Sequence, residues 1–170
     1  MKATMQHVGN QLTTWAIENN SEDEVDLFAR SAFNRFYYAA FLETRTMLGE
    51  FNTSWKKTPH LNIPELLREG VKKKVINTLK ALVKSEDISI AESNKIKQSY
   101  QISVCELANL LEQAYQIRVL ADYEPENKAT KDGKVILLGI HKLATAKEWP
   151  NQANSYCKAI RKIWKETGLA

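Results

Sequence analysis

Apolar residues recur every three or four positions through most of the chain, and no segment shows the sustained alternation of a half-buried strand. The strongest stripe is formed by Leu107, Leu110, Leu111, Ala114 and Ile117. Only six glycines and four prolines interrupt the 170 residues, too few for the many turns of an all-β protein. The pattern therefore predicts an all-α fold, an antiparallel bundle of about five to six helices.

Local signals set the bounds of the predicted helices. Ser21 followed by Glu24 reads as a capping box that opens the second helix, which we expect to end near Glu50. Asn62 suits the cap of the third helix, and Pro150 suits the first turn of the last. We predict helices over residues 2–18, 21–50, 62–84, 89–121, 130–147 and 151–166.

The length of 170 residues matches one ordinary domain. We expect residues 21–147 to form its helical core, with the first helix (2–18) and the last helix (151–166) packed on it. Hydrophobic residues make up 44% of the chain and charged residues 26%, which is the composition of a globular protein rather than a disordered one.

Composition narrows the classes of function. The two cysteines, Cys105 and Cys157, lie far apart without zinc-like spacing, and we expect both to be buried free thiols. No metal-ligand cluster or glycine-rich phosphate loop is present, so we predict no metal and no cofactor, and a small-molecule enzyme has little support. The N-terminus lacks an apolar signal core and no apolar run could span a membrane, which predicts a cytoplasmic protein without membrane contact.

The chain is mildly basic, with a net charge of +4 and a pI of about 9.0. The excess is concentrated between Lys56 and Lys97, where ten basic residues meet five acidic ones. Such a segment can attract the phosphates of RNA or DNA. A lysine-rich helix face that is simply solvated explains the same numbers.

Two short strings stand out. The first, Asn34 to Phe41, reads NRFYYAAF in the second predicted helix; the second, Arg118 to Tyr123, reads RVLADY at the end of the fourth. In this order and at this separation they resemble the HEPN superfamily. The closest likeness is to an uncharacterised branch that carries an R-x-Y-Y-A-A-F helix and a later A-D-Y turn. The resemblance covers about residues 25–147.

The resemblance implies a helical bundle that commonly forms a homodimer. It also implies roles in prokaryotic toxin–antitoxin pairs, defence against phage and RNA cleavage. The partners it implies are a nucleotidyltransferase or another defence-system protein, and RNA.

One feature of the family is missing. Catalytic HEPN ribonucleases carry the motif Arg-x4–6-His, whereas the positions after Arg118 that would hold the histidine are Tyr123, Glu124 and Pro125. The next histidine is His141, far beyond that window. Whether the chain is an enzyme is therefore left open, and the family's catalytic role transfers to Arg118 only in part.

The candidate catalytic residues are Arg118, Asp122, Tyr123 and His60. Metal-free RNA cleavage needs groups that move protons and a cation that holds the phosphate. Arg118 could bind the phosphate through its guanidinium. The alternative is that it only forms an ion pair with Asp122, one helical turn further on. Asp122 and Tyr123 equally suit a turn or a core. His60 lies on a loop that could swing it towards Arg118 of the same chain or of a second copy.

The candidate nucleic-acid-binding residues are Arg35, Tyr38, Lys72, Lys73 and Lys74. Arg35 and Tyr38 share one face of a helix, and Arg35 and Arg118 form one basic pocket if their helices are neighbours. Aromatic residues at helical spacing are also typical of a core or a dimer interface. The arginines could equally be separate surface charges.

Two functions follow from these observations. The first is a non-catalytic or variant-site HEPN module that dimerises and binds RNA or a partner protein, as the missing histidine favours. The alternative is an active, metal-independent endoribonuclease, an RNA-cleaving toxin that uses Arg118. Both belong to a prokaryotic defence or toxin–antitoxin system.

Overall fold

The computed structural model describes residues 4–169, and the predicted helical class is confirmed. The helices are α1 (Met5–Glu18), α2 (Glu22–Phe51), α3 (Ile63–Glu65), α4 (Lys72–Lys84), α5 (Ile90–Tyr123) and α6 (Leu143–Glu166). A π-helical segment, Leu66–Val71, joins α3 to α4, and two 3-10 turns, Thr53–Lys57 and His60–Asn62, precede α3. The predicted start of the first helix at Lys2 lies outside the described residues. Among residues 4–169, no helix is long and apolar enough to cross a membrane.

The predicted helix over residues 130–147 is wrong in its first half, which forms a small antiparallel sheet. Strands β1 (Ala129–Asp132), β2 (Val135–Leu138) and β3 (His141–Lys142) pair in chain order. Asp132 pairs with Val135 across a two-residue turn that begins at Gly133, where φ is 58°. Asp-Gly before a short apolar run is a hairpin signal, and it outweighs the weak helical spacing of this segment.

The last helix begins earlier than predicted, at Leu143, and Pro150 lies inside it rather than in its first turn. Proline removes one backbone donor from a helix interior. The helix continues because Leu143, Ala146, Trp149 and Ala153 form one buried stripe on both sides of the proline. Its predicted end at Glu166 is correct.

Contacts divide the described chain into two compact units. The first comprises the residues up to Leu42 together with Leu111–Gln152. The second comprises Glu43–Leu110 together with the residues from Ala153 onward. Helices α2, α5 and α6 each supply residues to both units. That the whole chain forms one domain remains a prediction.

The first unit is built on the aromatic face of α2. Phe33 and Phe36 are fully buried, and the ring of Phe33 lies 6.2 Å from that of Trp149. The sheet is tied to α1 by Lys131, whose amine donates to the carbonyl of Ile17 at 3.0 Å and to that of Asn19. A cation at these carbonyls suits the negative end of a helix.

The second unit has its own core, with Met47, Leu48, Ile63, Leu107 and Ile160 fully buried. The hydroxyl of Tyr100 donates to the carbonyl of Leu67 at 3.3 Å inside this core. At the start of α5, the Ser89 hydroxyl accepts from the backbone N–H of Glu92, and the Glu92 carboxylate accepts from that of Ser89. This reciprocal capping box fixes where α5 begins.

Helix α1 packs through its small residues rather than its large ones. Three of its large apolar residues, Met5, Val8 and Trp15, lie at the surface, and Trp15 is 46% exposed. The buried residues are Gly9 and Ala16. A Cβ at position 9 would lie 2.7 Å from the ring of Phe36, so glycine permits the close approach of α1 to α2.

The two cysteines differ in burial. Cys157 is fully buried as predicted, whereas Cys105 is only half-buried, because it lies at the flank of the α5 stripe formed by Val104 and Ala108. Burial raises the pKa of the Cys157 thiol from 9.0 to about 12. The Cys157 thiol therefore remains protonated at neutral and mildly alkaline pH.

Replacing Gly9 by alanine is expected to lower the free energy of unfolding by about 1 kcal/mol. The clash with the buried Phe36 ring costs about 1–3 kcal/mol and exceeds the gain in helix propensity of about 1 kcal/mol. Urea denaturation measures the change, and Gln11→Ala, on the exposed face of the same helix, is the control. A stabilised Gly9→Ala variant would contradict the close approach.

In the native protein at pH 8, a thiol-specific reagent is expected to label Cys105 and leave Cys157 unmodified. Only the thiolate reacts, and burial keeps Cys157 in the thiol form. Mass spectrometry of peptides from native and urea-unfolded samples gives the measurement. Equal labelling of both cysteines in the native sample would rule out the buried position of Cys157.

Candidate functional site

Helix α2 carries a line of polar side chains at four-residue spacing. Asp26, Arg30, Asn34 and Tyr38 lie on one face of the helix, which we call the α2 polar stripe. Each of the four contacts the last two turns of α5 or the segment that follows them. The two strings singled out in the sequence meet at this face.

Arg30 binds the carboxyl-terminal end of α5. One guanidinium nitrogen, Nη1, donates to the carbonyls of Leu120 at 3.4 Å and Ala121 at 2.7 Å. The other, Nη2, donates to the carbonyl of Glu124 at 2.9 Å and to that of Asn127. The last carbonyls of a helix lack full intrahelical pairing, and a cation there also suits the helix dipole.

Asp26 completes this connection. Its Oδ1 accepts from Nε of Arg30 at 2.8 Å and from the backbone N–H of Ala129 at 2.6 Å. The carboxylate therefore fixes the guanidinium on one side and the first residue of β1 on the other. Together Asp26 and Arg30 hold the turn between α5 and the sheet.

Asn34 and Asp122 connect the two strings directly. The amide nitrogen of Asn34 donates to both carboxylate oxygens of Asp122, at 3.1 and 2.8 Å. The Oδ2 of Asp122 also lies 2.7 Å from Nε of Arg118, one turn earlier on α5. Asp122 is thus held by an amide and a guanidinium together.

The Arg118–Asp122 contact is an ion pair without an aligned hydrogen bond at Nε. Among residues 4–169, the buried Nε of Arg118 has no acceptor in hydrogen-bond geometry, although the charges are close. The two side chains are 12% and 24% exposed. The two opposite charges lie close together, so each offsets part of the field of the other.

Two tyrosines flank the guanidinium of Arg118. Its central carbon lies 5.8 Å from the ring centre of Tyr38 and 5.3 Å from that of Tyr123. Both distances are within the range of a cation–π interaction. Tyr38 is half-buried, whereas Tyr123 is 67% exposed and covers the cluster on the solvent side.

The electrostatics of the cluster favour a charged, paired arginine. Burial on its own would lower the pKa of Arg118, but the Asp122 carboxylate beside it raises that pKa above its ordinary value. Burial also raises the pKa of Tyr37, which lies edge-on to Tyr38 at 5.4 Å. The phenol of Tyr37 therefore remains protonated and takes no part in proton transfer near neutral pH.

The structure brings Arg118, Asp122, Tyr123 and Tyr38 together, but Arg35 faces elsewhere. Nη1 of Arg35 lies 3.9 Å from the sulfur of Met5, so its described contact is with α1 rather than with α5. The shared Arg35–Arg118 pocket considered from the sequence is therefore replaced by Arg118, Asp122 and Asn34.

The remaining predicted site residues belong to the second unit. His60 is half-buried in the second 3-10 turn. Of the three lysines, Lys72 is half-buried and Lys73 exposed, while the amine of Lys74 lies 5.0 Å above the ring of Trp55. The catalytic role of His60 and the nucleic-acid role of these lysines remain predictions.

Sequence reasoning missed Arg30 and gave Asn34 no role. Arg30 lies outside the first string, and its partners are main-chain carbonyls, which no side-chain pattern reveals. A signal was nevertheless present. Polar residues every four positions along an otherwise apolar helix indicate a buried polar contact.

Comparisons with known proteins assign no role to these side chains. No family model, no curated protein and no solved structure matches the chain. Within residues 4–169, no group of three or more histidine, cysteine or acidic side chains is arranged to hold a metal ion. What Arg118 can do chemically therefore rests on its own contacts.

Arg30→Ala is expected to lower the free energy of unfolding by about 2–3 kcal/mol, because the carbonyls of Ala121 and Glu124 each lose a guanidinium donor that ties the end of α5 to α2. Arg35→Ala is the matched control on the same helix and should change it by less than about 0.5 kcal/mol. Urea denaturation of both variants measures the difference. An equal loss of unfolding free energy in the two variants would contradict a special role of Arg30 at the end of α5.

Proposed function

We propose that this chain is a HEPN-type helical module of a prokaryotic defence or toxin–antitoxin system, and that it binds RNA or a partner protein without cutting RNA. The contact between its two HEPN-like strings supports the first part, since Asn34 and Asp122 join them by two hydrogen bonds. A homodimer and a companion nucleotidyltransferase belong to the same proposal.

The observation that carries the non-cutting role is the ion pair of Arg118. A guanidinium that stabilises a scissile phosphate must present its charge and its donors to that phosphate. Here Asp122 lies 2.7 Å from Nε, and the side chain is only 12% exposed. An incoming phosphate would have to displace a carboxylate that Asn34 also holds.

Proton transfer lacks a suitable group beside Arg118. The carboxylate of Asp122 accepts from Asn34 and faces Arg118, so its oxygens are already engaged within the protein. Tyr123 stands at the first position where the family motif would carry its histidine, and its ring lies against the Arg118 guanidinium. The cluster of Arg118, Asp122, Tyr123 and Tyr38 contains no histidine, and this favours a role other than cleavage.

The exposed ring of Tyr123 suits recognition instead. It lies over a guanidinium that fixes its position, and 67% of its surface is accessible. A flat, positioned aromatic ring stacks on an unpaired base or packs against a protein surface at little entropic cost. Binding through this surface needs no chemistry from Arg118.

Incubation of the purified protein with total tRNA and a defined single-stranded RNA, without metal, is expected to give no cleavage. Arg118→Gln and His60→Ala are assayed beside the wild type, and their folding is checked by circular dichroism. Cleavage by the wild-type protein that disappears in Arg118→Gln would overturn the proposal. The same loss in His60→Ala would identify His60 as the missing acid or base.

A further inference from the structure

A groove of about 630 Å³ opens at the end of α2, within the second unit. Arg45, Gly49 and Glu50 of α2 form one wall. Thr53, Lys56 and Lys57 of the first 3-10 turn form the other. Most of these residues are exposed, so the groove is open along its length.

The groove is positively charged despite the carboxylate in its wall. Both oxygens of Glu50 accept from Arg161, at 2.7 and 3.0 Å, and Arg161 also binds Glu43 at 2.8 Å. When Arg161 and Glu43 are counted with the lining, an excess of two positive charges remains. Glu50 is thus held by Arg161 and offers little resistance to an anion.

Lys56 and Lys57 carry this excess. Both are exposed, and within residues 4–169 neither amine has an ion-pair partner. Gly49 lets the turn approach α2, because a Cβ there would already lie 3.4 Å from Cβ and Cγ of Lys56. The stem of Lys56 is therefore packed against the helix while its amine stays in solvent.

The turn that bears the lysines is fixed at several points. Trp55 packs edge-on against Trp164 at 6.5 Å, and Trp164 stacks on Phe51 at 4.2 Å. The backbone N–H and the hydroxyl of Thr58 both donate to the carbonyl of Trp55, at 3.1 and 2.9 Å. Binding an anion between these walls therefore requires little ordering of the backbone.

We propose that this groove binds the phosphodiester backbone of single-stranded RNA. Adjacent lysines are point charges that suit successive phosphates, and an open groove admits a linear chain. Nothing in the lining selects a base, so binding is independent of sequence and weakened by salt. The proposal rests on the proposed function only in taking RNA as the ligand.

Fluorescence anisotropy of a short labelled single-stranded RNA, at several NaCl concentrations, tests the groove. The double variant Lys56→Gln/Lys57→Gln is expected to bind about tenfold more weakly and to lower the slope of log affinity against log salt by about 1.4. Lys80→Gln/Lys84→Gln, which removes the same charge from exposed positions of α4 outside the groove, should change affinity less than about twofold.

Inorganic phosphate and polyglutamate serve as competitors in the same assay. Equal losses in the two double variants would overturn the groove as a site and indicate a diffuse field. An absence of RNA binding by the wild type would also overturn the groove as a site. So would displacement of the RNA by polyglutamate at the same concentration as unlabelled RNA. Displacement by inorganic phosphate at that concentration would reduce the site to one for a single free phosphate.

RNA integrity after each titration separates the two proposals. Cleavage would overturn the proposed non-cutting role and leave the groove standing. Equal binding by the two double variants, with intact RNA, would overturn the groove as a site and leave the non-cutting role standing.

Discussion

The attachment of α2 to the end of α5 is the constraint on which the first unit depends. The end of a helix leaves carbonyls that need donors, and the guanidinium of Arg30 donates to three of them from another helix. Asp26, Asn34 and Tyr38 extend the same contact along α2. The direction of the chain into the sheet, and the position of Arg118, both follow from this one line of side chains.

The same contact decides the chemistry of the site. Asn34 holds Asp122 from α2, and Asp122 in turn faces Arg118 at 2.7 Å. An arginine in this setting orders the surrounding structure, since its charge is matched and its faces are covered by tyrosine rings. A ribonuclease uses arginine to present a positive charge to a phosphate. Here the charge of Arg118 faces the carboxylate of Asp122 instead.

Apolar periodicity predicted the long helices because their stripes are buried, as Leu107, Leu111 and Ala114 are in α5. It failed where other forces decide the structure: at the Asp132–Gly133 turn, at Pro150, and in α1, where Gly9 packs inward. For the site, the strings located Arg118 and Asp122. They did not reveal Arg30, because hydrogen bonds to main-chain carbonyls leave no side-chain pattern at the partner positions.

The contact of Arg30 also joins parts of the chain that are synthesised at different times. Ala121, whose carbonyl Arg30 binds, follows it by 91 residues, so during synthesis the guanidinium exists long before its acceptors. Closing so long a segment is slow compared with forming a helix. Asp26, four residues away on the same helix, offers the guanidinium a local acceptor throughout that interval. The carboxylate thus gives the Arg30 guanidinium a partner on its own helix that does not depend on the end of α5.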